Sequence, residues 1–321
     1  MLKISKVSFP GFHIGEFDLN SVAFTIFGKE VAWYGLVITL GIVFCFFYVA
    51  WRTRSLGLVM DDVIDIGVPT VIIAIIGARA YYVLTSLDAY RGDFWSIFAI
   101  WEGGLAIYGA LITGGITVFF MCRYKKVKFS AFADCTCPSI LVAQAVGRLG
   151  NFFNGEAFGS QTEIFSRMGL QNDLTFFKFG THEMVYVHPT FLYESLWNLI
   201  GFGIATALFS KRKYNGFIFH FCFAWYGFGR MFIELLRTDS LYIPGLPQMW
   251  FAKISTVVGF VCFVVFTSLI VYNLLRYNKA SEEEKKAILP SPISREEYEA
   301  VWNEYKEKRA EKKASRQSRK E

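Results

Sequence analysis

Long apolar blocks separated by short polar stretches make up most of the chain after its first 30 residues. A soluble core would distribute its apolar residues at the period of a helix or a strand, whereas a membrane span needs about 20 predominantly apolar residues in a row. Seven such runs are found, near residues 33–51, 66–86, 105–121, 133–149, 190–210, 216–236 and 250–275. The pattern therefore predicts an all-α polytopic membrane protein with about seven transmembrane helices.

The composition agrees with this class. Of the 321 residues, 54% are hydrophobic and only 19% are charged, against about 25% charged in ordinary soluble domains. The formal net charge of +6 is not a nucleic-acid signature, because the basic residues cluster beside apolar runs and in the tail. We therefore expect a membrane-embedded protein without a nucleic-acid partner.

The same basic residues predict the orientation. Clusters of Lys and Arg follow the first, third, fifth and seventh runs, and cytoplasmic loops collect such residues. The N-terminus is therefore expected outside and the C-terminus in the cytoplasm. This gives an extracytoplasmic segment at 1–30, a seven-helix membrane catalytic domain at 31–277 and a charged cytoplasmic tail at 278–321. A loop at 150–188 would form a small extracytoplasmic head between helices four and five.

Ionisable side chains inside the apolar runs are the first candidates for function, because each costs at least a few kcal/mol in lipid unless it is paired or hydrated. The densest stretch, residues 147–159, lies where the fourth run reaches the outside. It combines Arg148, Asn151, Asn154 and Glu156 with four glycines. A simple turn would explain the asparagines and glycines, but it would not need the arginine and the glutamate as well.

A second polar cluster lies along the sixth run. Tyr226, Arg230, Glu234 and Arg237 are spaced by four, four and three residues and so share one helix face. We expect this face to line a polar cavity, since lipid could not receive it. Glu194, inside the fifth run, must also have a partner, because an unpaired carboxylate there would be protonated or expelled. A structural ion pair and direct chemistry are equally compatible with Glu194.

Two further candidates have structural explanations of equal weight. Arg79 lies near the external end of the second run, where an arginine can simply extend to the interface. Tyr108 follows Gly103-Gly104 at the start of the third run, and interfacial tyrosines are common membrane anchors.

The arginines indicate the class of ligand. Guanidinium groups bind phosphate through paired hydrogen bonds, and acidic residues of the same clusters can hold them in position. An anionic phospholipid fits such a site, because its acyl chains would fill the lipid-facing part of the cavity. No metal site is expected, since the four histidines and six cysteines lack the spacing of metal ligands.

Several motifs together carry a family resemblance: Trp33-Tyr34-Gly35-Leu36, Gly103-Gly104, Gly147-Arg148-x-Gly150-Asn151-Phe152-x-Asn154-x-Glu156-x-x-Gly159, His188-Pro189, Tyr193-Glu194, and Tyr226 with Arg230, Glu234 and Arg237. This combination, which covers residues 30–275 in order, resembles the bacterial phosphatidylglycerol–prolipoprotein diacylglyceryl transferase family. The resemblance is specific, because so many fixed polar positions are improbable by chance in a membrane protein.

The resemblance implies an enzyme of the bacterial cytoplasmic (inner) membrane. It would transfer the diacylglyceryl group of phosphatidylglycerol to the thiol of the lipobox cysteine in a prolipoprotein signal peptide and release glycerol phosphate, the first step of lipoprotein maturation. No cofactor is implied. The catalytic residues expected from the family pattern are Arg148, Arg230, Tyr108 and Glu156. The expected phosphatidylglycerol-binding residues are Arg148, Arg230, Tyr34, Asn151, Asn154, Gly159, Glu194, Tyr226, Glu234, Arg237 and Arg79.

One position departs from the family pattern. Many members have His where this chain has Tyr108, and that His has been considered a base for the thiol. A neutral phenol with a pKa of about 10 is a poor base for a thiol with a pKa of about 8.5. The arginines could instead lower the thiol pKa, Glu156 could accept the proton, or the role of the His could be dispensable.

Two other functions remain open from the sequence. A transporter or channel for organic anions would also place arginines and carboxylates in a membrane cavity, although the charges here gather near one face and no inverted repeat is visible. Another lipid-dependent transferase, such as one that moves phosphoglycerol groups onto envelope polymers, is the second. Many of those enzymes need metal-binding Asp or His clusters.

Overall fold

The computed structural model describes residues 4–90, 95–100, 103–243, 245, 249–289 and 293–317. The chain divides into two compact units. The first unit comprises Met1–Cys45 and Thr136–Leu289, and the second comprises Phe46–Cys135 and Pro290–Glu321.

Each predicted apolar run forms a long helix. These helices are α1 (Trp33–Arg52), α2 (Met60–Thr85), α3 (Ile107–Tyr124), α4 (Phe129–Phe153), α6 (Thr190–Leu208), α7 (Phe217–Leu236) and α8 (Ile254–Lys279). Within the described residues, six of them are long and apolar enough to cross a membrane, and α7 is not among the six. Arg230 and Glu234 lower the mean hydropathy of α7. The predicted all-α polytopic class is confirmed, while seven spans and their orientation stay predictions.

A four-stranded antiparallel sheet joins the N-terminal segment to the loop at 150–188. Its strands are β1 (Ile4–Phe9), β2 (Ile14–Asn20), β5 (Met168–Gln171) and β6 (Val185–Val187), in the order β2-β1-β5-β6. Val7, Leu170 and Val187 are buried in its core with Phe158 and Phe191. The two segments, expected as separate parts, thus form one folded body.

Three smaller elements complete the first unit. Strands β3 (Val22–Ile26) and β4 (Lys29–Ala32) form a hairpin that leads into α1. Helix α5 (Asp173–Phe179) follows β5, and its N-terminus is capped by the Asn172 side chain, which accepts a hydrogen bond from the Thr175 N–H. Helix α9 (Glu282–Ile288) follows α8.

A reciprocal pair of tryptophans joins α6 to α7. The Trp197 and Trp225 rings stack with their centroids 4.2 Å apart. Each indole N–H donates a hydrogen bond to the backbone carbonyl of the other residue, at 3.0 and 2.9 Å. Gly201 and Gly229 receive the rings, since a Cβ atom on either would lie 2.3 or 2.1 Å from an indole nitrogen. The pair therefore fixes the register of α6 against α7.

In the second unit, the tail helix α10 (Arg295–Gln317) contacts the turn between α1 and α2. The Tyr305 hydroxyl donates a hydrogen bond to Asp61, and the Arg54 guanidinium lies 5.9 Å from the centre of the Tyr298 ring. The sequence predicted only that this segment is a charged tail. In the structure, Tyr298 and Tyr305 of α10 contact Arg54 and Asp61.

The tryptophan pair generates a stability prediction. Gly201→Ala should destabilise the protein by about 1–3 kcal/mol, because the added methyl group forces a stacked, hydrogen-bonded ring to move. Thermal unfolding in detergent would measure the change. Gly203→Ala is the matched control on the same helix, since nothing lies within 4 Å of its added Cβ atom. Equal melting temperatures for the two variants would contradict the role of the tryptophan pair in fixing α6 against α7.

Candidate active site

The end of α4 presents a chain of polar side chains. Arg148 Nη1 donates a hydrogen bond to Asn151 Oδ1 at 3.2 Å. The amide groups of Asn151 and Asn154 both donate to Glu156 Oε1, each at 3.0 Å. The helix ends at Phe153, and this turn brings Glu156 back toward the arginine side of the segment. The asparagines thus orient both charged groups.

Glu194, in the first turns of α6, lies between two guanidinium groups. Arg148 approaches its carboxylate with two nitrogens, Nε at 2.9 Å from Oε2 and Nη2 at 3.0 Å from Oε1. Arg230 Nη1 lies 2.9 Å from Oε2. Glu194 is only 3% exposed, so the predicted need for a partner is confirmed. Arg148 and Arg230, both expected from the family pattern to be catalytic and to bind phosphatidylglycerol, share this one carboxylate.

The polar face of α7 continues this network. Arg230 Nη2 lies 2.6 Å from Glu234 Oε2 and donates to Ser255 Oγ at 3.4 Å. Arg237 makes a bidentate pair with Asp239, at 2.9 and 2.6 Å. Burial raises the pKa of Asp239, but the hydrogen bonds and charge of Arg237 outweigh it and hold that pKa below its usual value. Both Asp239 and Arg237 are therefore charged at neutral pH.

The two central arginines keep donors for a ligand. A guanidinium carries five N–H groups. The contacts with described residues use three nitrogen-bound hydrogens of Arg148, two on Glu194 and one on Asn151. Arg230 donates one hydrogen to Glu194 and one to Ser255, and its contact with Glu234 is an ion pair. An anion could therefore bind both arginines without displacing Glu194.

Tyr34, at the start of α1, lies against the end of α4. A Cβ atom on Gly150 would be 2.5 Å from Tyr34 Cδ2, so the ring needs this glycine for its position. The neighbouring Trp33 ring stacks on Phe153 with centroids 5.2 Å apart. The start of α1 thus lines the same segment that carries Arg148.

The chain is similar in sequence to one family of known proteins. The sequence profile of the prolipoprotein diacylglyceryl transferase family matches residues 21–272. The chain is 37% identical over 256 residues to the phosphatidylglycerol–prolipoprotein diacylglyceryl transferase of Streptococcus suis (strain 05ZYH33), which covers 77% of this chain and 92% of that protein. It belongs to the prolipoprotein diacylglyceryl transferase family.

Two other relatives of the same family are similarly close in sequence. The phosphatidylglycerol–prolipoprotein diacylglyceryl transferase 1 of Clostridium perfringens (strain 13 / Type A) is 39% identical over 256 residues, 78% of this chain and 95% of that protein. The transferase of the same name from Streptococcus pneumoniae (strain Hungary19A-6) is 40% identical over 233 residues, 71% of this chain and 86% of that protein. The family match ends within α8, so α9 and α10 lie beyond it.

Two of the residues expected in the site, Arg79 and Tyr108, belong to the second unit. Arg79 is 7% exposed, and four of its hydrogen bonds go to backbone carbonyl groups: those of Ser96 at 2.5 Å, Ile97 at 2.8 Å, Gly103 at 2.8 Å and Gly104 at 3.1 Å. This geometry gives Arg79 the role of holding the segment before α3, and lends no support to lipid binding. Tyr108 is the second residue of α3 and is half-buried.

Two other expected residues take supporting positions in the first unit. Gly159 donates its N–H to the His188 carbonyl at 2.9 Å, and a Cβ atom there would lie 2.7 Å from His188 Cβ. It allows the chain after α4 to pass close to the entry of α6. Tyr226 lies one turn before Arg230 on α7 and is half-buried.

Three residues of the network, Asp239, Lys253 and Ser255, were not expected as site residues from the sequence. Asp239 lies two residues after Arg237, the last residue of the polar face of α7. This short spacing between opposite charges was the sequence feature that could have indicated an ion pair. Lys253 was a cation inside the predicted run at 250–275, and its burial to 6% exposure shows that it does not extend to solvent. No pattern in the sequence pointed to Ser255.

The shared carboxylate generates the next prediction. Glu194→Gln should destabilise the protein by about 3–5 kcal/mol, because it removes the counter-charge of Arg148 and one of the two carboxylates that pair with Arg230. Thermal unfolding in detergent would measure this. Glu163→Gln is the control, since the Glu163 side chain is 91% exposed and lies 3.9 Å from Arg167. A melting temperature unchanged in Glu194→Gln would show that the pair is dispensable for folding.

Proposed function

We propose that the chain transfers the diacylglyceryl group of phosphatidylglycerol to prolipoproteins at the site formed by Arg148, Arg230 and Glu194. The observation that carries this proposal is the pair of guanidinium groups held by one buried carboxylate between apolar helices. Such a site fits a phosphate group whose acyl chains remain in lipid. The relatives named above act on phosphatidylglycerol and prolipoprotein by their names.

The reaction proposed for this site is a displacement at carbon. The thiolate of the lipobox cysteine attacks the diacylglyceryl carbon that is bonded to the phosphate oxygen. A C–S bond forms, the C–O bond breaks, and its electron pair leaves with glycerol phosphate. The phosphodiester carries one negative charge and the leaving monoester gains another. Arg148 and Arg230 stabilise this developing charge, because preorganised donors act most strongly where charge appears in the transition state.

Glu156 is the residue we propose as acceptor of the thiol proton. Its Oε1 atom already receives two amide hydrogen bonds, from Asn151 and Asn154. These bonds fix the orientation of the carboxylate and direct the proton to Oε2. We propose that the site is lined by Tyr34, Asn151, Asn154 and Tyr226. The residues that support it are Gly159, Glu234 and Arg237. The proposal gives no catalytic role to Tyr108 and no lipid-binding role to Arg79.

The orientation of the chain is also a proposal. The sheet pairs residues 4–20 with residues 168–187, so both segments must lie on one side of the membrane. Four helices, α1 to α4, separate them, and an even number of crossings returns the chain to its starting side. This supports placing the segment at 1–30 and the head at 150–188 on the same side of the membrane domain at 31–277. The basic clusters after the first, third, fifth and seventh runs favour the extracytoplasmic side for both and the cytoplasm for the tail at 278–321.

The first test is an assay of glycerol phosphate release from phosphatidylglycerol with a lipobox peptide in detergent. Arg148→Ala and Arg230→Ala should each lower kcat by about 10²–10³-fold, the usual effect of removing a transition-state donor. Arg167→Ala, at a surface pair in the head, is the matched control and should keep activity. A peptide with Cys changed to Ser should give no release. Activity that survives both arginine substitutions would refute the proposed site.

The proton acceptor can be tested by pH. Glu156→Gln should lower kcat by about 10²-fold at pH 7, where a thiol with a pKa near 8.5 needs a base. The loss should shrink above pH 9, because the thiolate then forms without help. Tyr108→Phe is the comparison and should stay within a few-fold of wild type. A loss in Glu156→Gln that is equal at both pH values would argue against proton transfer.

A further inference from the structure

Lys253, the residue before α8, is a buried cation with no place in the reaction described above. It is 6% exposed. Its ammonium group donates to three backbone carbonyl groups at the end of α7: Glu234 at 2.8 Å, Leu235 at 3.3 Å and Arg237 at 3.0 Å. An ammonium has three hydrogens, so all of them are used. Lys253 therefore has no donor left for a phosphate.

The carbonyl groups that end α7 depend on Lys253 to different degrees. The Glu234 carbonyl also accepts the Arg237 N–H at 3.2 Å, and the Arg237 carbonyl also accepts the Ser240 hydroxyl at 3.5 Å. Among the contacts of the described residues, Lys253 is the donor to the Leu235 carbonyl. The last four carbonyl groups of a helix have no partner within the helix. Here the Leu236 carbonyl accepts the Ser160 N–H at 2.8 Å, and the Thr238 carbonyl accepts Lys178 Nζ at 2.6 Å. With the three bonds from Lys253, each carbonyl from 234 to 238 has a donor.

This arrangement affects the arginines on the same helix end. Unpaired carbonyl groups beside Arg230 and Arg237 would compete for their guanidinium hydrogens. In the structure, the hydrogen bonds and ion pairs described for these two arginines all go to side chains. The guanidinium groups therefore keep the orientation that leaves donors for an anion.

We propose that Lys253 is a positioning residue, which holds the end of α7 so that Arg230 stays directed at the phosphate of the lipid substrate and Arg237 stays in its supporting pair with Asp239. This inference rests on the proposed function. Lys253 acts through the backbone of α7 and touches no reacting atom. Its effect should therefore fall on kcat, since a displaced arginine stabilises the leaving group less.

The protonation of Lys253 gives a signature of this role. Burial is the largest influence on the pKa of Lys253 and lowers it. The negative charges of Glu234 and Asp239 raise this pKa, and the positive charges of Arg237 and Lys178 lower it. Together they hold the pKa of Lys253 below that of an ordinary lysine. Loss of the proton removes one donor and the charge. Activity should therefore decline as the pH rises through this lowered pKa. Arginine at the same position would not titrate in that range.

The experiment compares Lys253→Met, Lys253→Gln and Lys253→Arg in the release assay. We expect Lys253→Met to lower kcat by about 10²-fold with the KM for the peptide unchanged. Lys253→Gln keeps two donors and should lose less, and Lys253→Arg should shift the alkaline decline to higher pH. Lys308→Gln, on the exposed face of α10, is the matched control.

The outcomes separate the two hypotheses. Wild-type kcat in Lys253→Met, with inactive Arg148→Ala and Arg230→Ala, would overturn the positioning role and leave the site intact. Full activity in both arginine variants would instead refute the site. If Lys253→Met does not fold, Lys253→Gln is the test, and a wild-type kcat in that variant would contradict the proposal. The proposal would also be contradicted if activity declined at the same alkaline pH in Lys253→Arg as in the wild type.

Discussion

The first unit depends on one interaction, the pairing of the buried Glu194 carboxylate with the guanidinium groups of Arg148 and Arg230. A carboxylate at this depth loses its water shell, and only opposite charges with good geometry compensate for that loss. Arg148 from α4 and Arg230 from α7 supply both charge and hydrogen bonds. The same contact therefore brings three helices together and leaves two guanidinium groups side by side. Stability and the phosphate recognition proposed for this site would therefore have one physical origin.

Accurate packing elsewhere makes that contact possible. The stacked Trp197 and Trp225 rings set the register of α6 against α7, and so set Glu194 against Arg230. Gly150 allows the Tyr34 ring to approach α4. Because these contacts are apolar or neutral, they fix helix positions without adding further charge to the membrane interior.

Much of this could be predicted from the sequence, because apolar runs and the spacing of Tyr226, Arg230, Glu234 and Arg237 are local features. The sheet could not, since β1 pairs with β5 across a separation of more than 150 residues and the strands are short. Arg79 shows a second limit. Its position at the end of an apolar run suited a lipid ligand, yet its donors go to backbone carbonyl groups that no sequence pattern identifies.

The charges of the site suggest why proton transfer and departure of the phosphate belong together. The network counts four cations, Arg148, Arg230, Arg237 and Lys253, and four carboxylates, Glu156, Glu194, Glu234 and Asp239. Ion pairs join most of them, while Glu156 is joined through side-chain amides and Lys253 through backbone carbonyl groups. When Glu156 accepts the thiol proton in the proposed reaction, one carboxylate becomes neutral and the cations outnumber the carboxylates. The leaving oxygen gains its negative charge as this excess positive charge appears. The site would therefore bind the transition state more strongly than the resting phosphodiester, which is the condition for raising kcat.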